Sequence, residues 1–345
     1  LLGSDWRWLI TVGNPAGFVS GYPDDGQWIV DEDNNFETTY KFRNEDFKKY
    51  YRWLNGMYNQ GLLDPESFTQ GEDDYIAKLS SGRVLGIADQ DWNFSSATAA
   101  LRQDEKYWRT YAPLPVALED GIKVQSVKDY GFTGTIGISI AKDSPNAEKA
   151  FEFLDWFASE EAQILVNWGI EGVNYDIIDG KRVAKEEDIK NSLTNDNYSL
   201  ETGIGQYIYP FPQAGSAVLD SNGQSISRSD RERVIQDYTE AEKEVLSNYG
   251  AEMWVDLFPS REEFDLPKHG RGYEIVMPTD LGEIQTRADD YMAQALTKLI
   301  TTKADNFDNV WDEIQKDLID MNIEEAEKQM TELVRNRVKL WEGEY

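Results

Sequence analysis

The chain has 345 residues, no cysteine, one histidine (His269) and, with 34 Lys and Arg against 64 Asp and Glu, a net charge of −30. That length can bury a sizeable core in two domains or one large α/β unit, and no stretch approaches the roughly 18 apolar residues of a membrane span. The charge repels phosphate backbones, so nucleic acid is not an expected partner; the absent cysteines exclude disulfides, thiolate nucleophiles and cysteine metal sites, and a lone histidine argues against His-rich zinc sites and a Ser-His-Asp triad.

The opening Leu1-Leu2-Gly3-Ser4-Asp5 lacks the basic and apolar regions of a signal peptide, and a start on Leu reads as a processed or cut product. Asp5-Trp6-Arg7-Trp8-Leu9-Ile10 leads into a Gly-, Pro- and Asp-rich segment, read as a loop to about Gly26, and then a short hairpin-like piece. Phe47, Tyr50, Tyr51, Leu54, Met57 and Tyr58 recur at helical spacing, with Asn44 as N-cap and Gly61 at the end. Asp64-Pro65-Glu66 starts another turn, Tyr75, Ile76 and Leu79 predict a short helix stopped by Gly82, and Val84 to Ala88 reads as a buried strand ending at Asp89-Gln90-Asp91-Trp92. Thr135 to Ile140 alternates as a strand does, Ser144-Pro145 opens a helix, and a second helical stretch ends at Trp168-Gly169. From about 191 to 222 the pattern is polar and irregular, with a Tyr207-Ile208-Tyr209-Pro210-Phe211-Pro212 island, and helices are expected over about 230–249, 280–303, 307–321 and 324–341.

Tests for chemistry mostly fail on residue type. Asp31, Asp33, Asn35 and Glu37 alternate as a calcium loop does, but Phe36 stands where the sharp turn needs Gly and Phe42 where a bidentate carboxylate is needed, so an acidic hairpin is the better reading. With 64 acids, pairs such as Asp89/Asp91 and Glu160/Glu161 arise by chance and do not mark a hydrolase dyad. Gly134-Thr135-Ile136-Gly137 lacks the Lys and glycine spacing of a phosphate loop, and the sequons at Asn93 and Asn197 are chance-level patterns.

Aromatic supply stands out: 11 Trp, 18 Tyr and 14 Phe in a chain of mean hydropathy −0.61. Trp6, Trp8, Trp92 and Trp168 sit beside loop residues rather than in a helical apolar stripe. A sugar ring has C–H faces and a hydroxyl rim, which asks for stacked rings surrounded by Asp, Asn, Gln and Arg. Asp89, Gln90, Asp91, Trp92 and Asn93 supply that mixture where a strand is expected to end. Core packing is the other use of the same rings, and Trp6, Trp8 and Trp168 lean toward it more than Trp92 does.

Four segments in order carry a family resemblance: Phe47 to Asp64, Tyr75 to Trp92, Gly134 to Ala162 and Trp168 to Val183. On these the chain resembles the extracellular solute-binding proteins, family 1, of bacterial ABC sugar importers, in particular the large lipoprotein members of Gram-positive bacteria. The resemblance covers most of 1–185, whereas 190–345 matches only in helical, acidic and aromatic character. It implies an α/β, type II periplasmic-binding-protein-like fold: two hinged lobes, a helix-rich C-terminal part, and a first lobe incomplete in this chain. Residues 1–127 would form the second α/β lobe. Residues 128–190 would be a crossing strand and helices returning toward the first lobe, and 191–345 a mainly helical part packing largely on the second.

The implied function is the non-catalytic, extracellular capture of an oligosaccharide in an aromatic-lined cleft, with delivery to the transmembrane subunits of an ABC importer. The resemblance also implies a monomer without cofactor or metal, lipid-anchored through a part of the parent protein not present here. In the maltodextrin-binding relatives a Trp just after the strand stacks on sugar; Trp92 occupies that place, with Gln90, Asp91 and Arg7 as hydroxyl partners. Trp6 and Trp8 correspond to an aromatic segment of the cleft. Trp168, Glu171 and Asn174 are added from a loop that could equally be a structural clasp. A carbohydrate-active hydrolase using a carboxylate pair and a peptide-binding or adhesive module remain the alternatives.

Overall fold

The computed structural model describes residues 7–343 except 127, 129, 132–136, 208–210, 212–217 and 229–230, with the side chains of 7–11 and 232–233 outside the description. Trp6, and Thr135 and Ile136 at the start of the Thr135–Ile140 alternation, therefore fall outside the described residues.

The Gly- and Pro-rich segment expected to be a loop is a helix, α1 (Arg7–Val19), with Pro15 inside it. Its glycines serve close approach rather than turning. A Cβ on Gly13 would sit 2.8 Å from Lys41 Nζ, and one on Gly17 would sit 3.3 Å from Phe47 Cζ. Next comes the acidic hairpin, as expected: β1 (Trp28–Asp31) pairs antiparallel with β2 (Glu37–Tyr40), Trp28 opposite Tyr40. Asp31 Oδ1 accepts the amides of Asp33 and Asn34, so this carboxylate closes the turn. Helix α2 (Glu45–Asn59) starts at Asn44, whose Oδ1 accepts the Asp46 N–H at 2.7 Å, and Gly61 takes positive φ just beyond its end.

Helices α3 (Glu72–Ser80) and α4 (Asp91–Gln103) follow, joined through a segment that departs from expectation. Residues 83–88 form no strand, and Leu85 is fully exposed. A ladder needs a neighbour for its N–H and C=O groups; the Val84 carbonyl is met instead by a side chain, accepting from the Tyr111 hydroxyl at 3.3 Å. Residues 137–140 likewise form no strand, and Ile138 is exposed. Helices α5 (Ala147–Phe157) and α6 (Glu160–Trp168) appear where the pattern placed them. Beyond them lie the hairpin of β3 (Tyr175–Ile178) and β4 (Lys181–Ala184), then α7 (Glu186–Thr194) and the short α8 (Tyr198–Thr202).

The helix expected over about 230–249 is two, α9 (Arg231–Asp237) and α10 (Glu240–Tyr249). Thr239 divides them: its hydroxyl accepts the Glu242 N–H while the Glu242 carboxylate accepts the Thr239 N–H, a reciprocal cap that starts a new helix. The last three helices match expectation closely: α11 (Thr279–Thr301), α12 (Phe307–Asp320) and α13 (Ile323–Trp341).

The largest core joins the beginning of the chain to its end, with α1, the first hairpin and α2 packed on α11, α12 and α13 around Tyr40, Phe42, Tyr51, Met292 and Trp311. Hydrogen bonds reinforce this burial. The Thr38 and Tyr40 N–H groups, on the side of β2 away from β1, donate to Thr331 Oγ1 and Glu327 Oε1 of α13, both at 3.0 Å. Asn55 of α2 donates to the carbonyls of Ile300 and Thr302, satisfying acceptors that the end of α11 leaves open. Two smaller clusters lie apart, one of Tyr75, Leu79 and Ala97, the other of Trp168, Tyr175 and Ala184.

Within the main core lies a buried cation, Lys41, only 4% exposed. Burial lowers its pKa to about 8, against the opposing pull of Asp24 and Asp289. Above pH 8 the folded chain has released a proton that the unfolded chain still holds, so stability should rise with pH until tyrosines begin to ionise near pH 10. Urea unfolding at pH 7.5, 8.5 and 9.5 should show an increase on the order of 1–2 kcal/mol. In Lys41→Met that slope should disappear; an unchanged slope would remove Lys41 as its source.

Candidate functional site

Asp89 is the fixed point of the segment expected to meet ligand. Its Oδ2 accepts from the Tyr75 hydroxyl and from Asn93 Nδ2, both at 2.7 Å, and its Oδ1 accepts the Gln90 N–H at 2.8 Å. Burial, with Asp89 beside it, pushes the Tyr75 phenol far above its ordinary pKa, so this hydroxyl stays a donor at any physiological pH. Asn93 is buried with its amide engaged, so the sequon there does not present a glycan acceptor in this fold. The clamp ties the start of α4 to α3, which is itself held by Tyr75, Leu79 and Ala97.

What the clamp presents is Gln90 as the residue capping α4, Asp91 exposed in the first turn, and Trp92 56% exposed. Phe94 breaks the helical geometry (φ −122°, ψ 15°), offsetting this first turn from the rest of α4, and packs edge-on against Tyr111 at 5.6 Å. An indole face, an amide and a carboxylate thus stand together on a short rigid piece of backbone. Such a set can stack on an apolar ring face and bond its polar rim. Arg7 and Trp8 belong to the first turn of α1, and their side chains lie outside the description.

Trp168 is placed differently. It is 4% exposed, donates its Nε1–H to the Ile226 carbonyl at 2.9 Å, packs edge-on against Tyr175, and has the Arg182 and Arg228 guanidiniums over its ring at 5.3 and 5.8 Å. Both arginines are partly buried and paired, Arg182 with Asp220 at 2.7 Å and Arg228 with Asp188 at 3.0 Å. Asn174 completes the cluster: its Oδ1 accepts the Ile170 N–H and its Nδ2 donates to Asp188. Gly169, with φ +80°, leaves the room that the Asn174 side chain fills. Glu171 is exposed on the loop, whose backbone is bridged to Tyr175. These contacts hold the loop between α6 and β3, with Trp168 at their centre. Asn174 also borders a polar recess of about 520 Å³ lined by Lys185, Asp188 and Thr202.

One group escaped the sequence reading. Past the last turn of α4, Tyr107 and Trp108 line a recess of about 510 Å³ together with α7 and the α9–α10 junction, where Tyr238 is the third ring. The signal available was the Lys106-Tyr107-Trp108-Arg109 run directly after a helix. Among the carboxylates weighed for hydrolysis, Asp89 holds the clamp and Glu160 holds Ser221 through its amide and hydroxyl.

Removing the clamp should be costly out of proportion to its surroundings. Asp89→Ala leaves the Tyr75 hydroxyl and the Asn93 amide without their acceptor and should cost about 1–3 kcal/mol in urea unfolding. Gln90→Ala should stay within about 0.5 kcal/mol. Equal effects of the two would mean that Asp89 does not anchor this segment.

The resemblance read in the sequence has an independent counterpart. Residues 8–164 match the family model described as bacterial extracellular solute-binding protein. Among curated proteins, the chain is 22% identical over 222 residues to lipoprotein LipO of Bacillus subtilis (strain 168), covering 64% of this chain and 42% of that protein. It is 26% identical over 162 residues to an uncharacterized protein in the butB 5' region of Niallia circulans, covering 47% of this chain and 62% of that one. Two solved structures share the fold over 96% of this chain. One is the alginate-binding protein AlgQ2 without calcium ion (TM-score 0.55, 18% identity, 63% of its length). The other is an HMO-binding, ABC-transporter-associated solute-binding protein from Bifidobacterium longum infantis (TM-score 0.53, 15% identity, 61% of its length). The chain thus spans less than two thirds of the length of each of these proteins. Sequence match and fold converge: residues 8–164 match the model of the bacterial extracellular solute-binding protein family, and the described fold is the helix-rich α/β fold that the two solved solute-binding proteins share.

Proposed function

We propose that this chain is part of an extracellular solute-binding protein that captures an oligosaccharide and delivers it to an ABC importer. The observation that carries the reading is Trp92: a large indole left 56% exposed on a turn that Asp89 ties down, directly after Gln90 and Asp91. Leaving so much apolar ring in water is unfavourable unless something covers it, and a pyranose face with hydroxyls reaching the flanking amide and carboxylate matches this surface. The carbohydrates named for the two solved neighbours, alginate and HMO, support the ligand class. The family's extracellular character and the lipoprotein relative support capture outside the cell. In this reading sugar contact favours a closed arrangement that docks on the permease, and no bond in the ligand is broken.

The test is titration of the chain with alginate oligomers and with neutral oligosaccharides, following tryptophan fluorescence and melting temperature. A ligand at 100 times its Kd should stabilise the fold by about 2.7 kcal/mol. Trp92→Ala should weaken binding roughly tenfold or more, about 1.4 kcal/mol, while leaving the unliganded melting temperature nearly unchanged. Unaltered binding in Trp92→Ala would overturn the assignment of the site, and cleavage of the oligosaccharide detected by mass spectrometry would overturn the binding-only role.

A further inference from the structure

The recess beyond the C-terminal end of α4 has no part in the reading above, because Arg102 on its wall lies ten residues along α4 from Trp92, about 15 Å of helix. We propose that this recess is a second saccharide pocket, one that takes a single unit of a neutral glycan.

Its volume of about 510 Å³ lies within the roughly 300–1,000 Å³ of small-molecule sites. Trp108 is 66% exposed, and Tyr107 beside it is also exposed. Neither the Trp108 indole N–H nor the Tyr107 hydroxyl has a hydrogen-bond partner among the described residues. The third ring is anchored: Tyr238 packs edge-on against Trp254 at 6.3 Å, and its hydroxyl accepts the Trp254 N–H. Three rings together with carboxylate, amide and hydroxyl groups make an amphipathic lining of the kind that a pyranose fits.

A buried donor without an acceptor points to the same ligand chemistry. Arg102 gives its Nη2 to Glu242 at 3.2 Å, while its buried Nε has no partner among the described residues. A sugar hydroxyl or ring oxygen can accept from that Nε, and such pairing is what buried polar atoms normally find. Charge selects among sugars. Glu186, Asp237 and Glu240 line the recess against Arg102 and Lys190, and the Arg102 charge is already matched by Glu242. A uronate would add a further negative charge to this set, whereas a neutral hexose or N-acylhexosamine would not.

The experiment is saturation-transfer NMR and fluorescence titration of the chain with lactose, N-acetyllactosamine and maltotriose, a trimer of hexuronate and a pool of short peptides serving as controls, in the parent, Trp92→Ala and Trp108→Ala. The exposure of Trp108 makes its loss tolerable to the fold, and circular dichroism checks this. A neutral sugar should bind in Trp92→Ala, lose at least tenfold in affinity in Trp108→Ala, and show transfer to its ring C–H protons; uronate should bind at least tenfold more weakly. The proposal is overturned if no neutral sugar in the panel responds, if Trp108→Ala leaves every response unchanged, if uronate binds equally well, or if only peptides bind at Trp108. Because the readout depends on Trp108 and not on Trp92, failure here leaves the cleft assignment standing, and failure of the cleft assignment leaves this pocket standing.

Discussion

The structure depends on an edge. A two-stranded hairpin has only one partner strand for each strand, so the outward N–H groups of Thr38 and Tyr40 would be buried unpaired against the core were they not met by Thr331 and Glu327 of α13. Those acceptors come nearly three hundred residues later. The first core therefore cannot close on the N-terminal segment alone, and Asn55 repeats the logic by supplying α2's amide to the open carbonyls at the end of α11. Long-range pairing of this kind makes loop closure part of folding and favours a slow, late-forming core.

That interleaved core frees the middle of the chain for presentation. Helices α3 and α4 rest on a small cluster of their own, and the rigidity of the Trp92 turn comes from one carboxylate rather than from bulk packing. A charged acceptor receiving three donors is stronger and more directional than apolar contact, which suits a short exposed segment with little area to bury. Trp168 shows the opposite solution, with two arginines, two aspartates and an asparagine assembled around a buried indole to lock a loop.

Local signals and tertiary context divided the work visibly. Where a segment carried its own cap and stripe, as with Asn44 and the Phe47–Leu54 face, or the apolar rows of α11, α12 and α13, the element lay within a few residues of its reading. Where the element needed a remote partner, the reading failed. Gly13, Pro15 and Gly17 read as loop because the reason for small residues, contact with Lys41 and Phe47, lies on other elements. Val84 to Ala88 reads as strand because its composition suits a sheet, but a strand exists only when a ladder partner is adjacent.

The sequence by itself determined the charge, the exclusion of thiol chemistry, the helices with local caps, the family resemblance and the prominence of Trp92 beside Gln90 and Asp91. These rest on residue identity and short spacing, which survive without coordinates. Only the tertiary structure decided which tryptophans face water: Trp168 and Trp311 are buried while Trp92 and Trp108 are not. It alone brought Tyr107, Trp108 and Tyr238 to one recess, and tied Asp89 to Tyr75 and Asn93. An indole is equally at home in a core or on a binding surface, and what separates the two uses is whether its ring and its N–H find partners within the fold, which spacing along the chain does not encode.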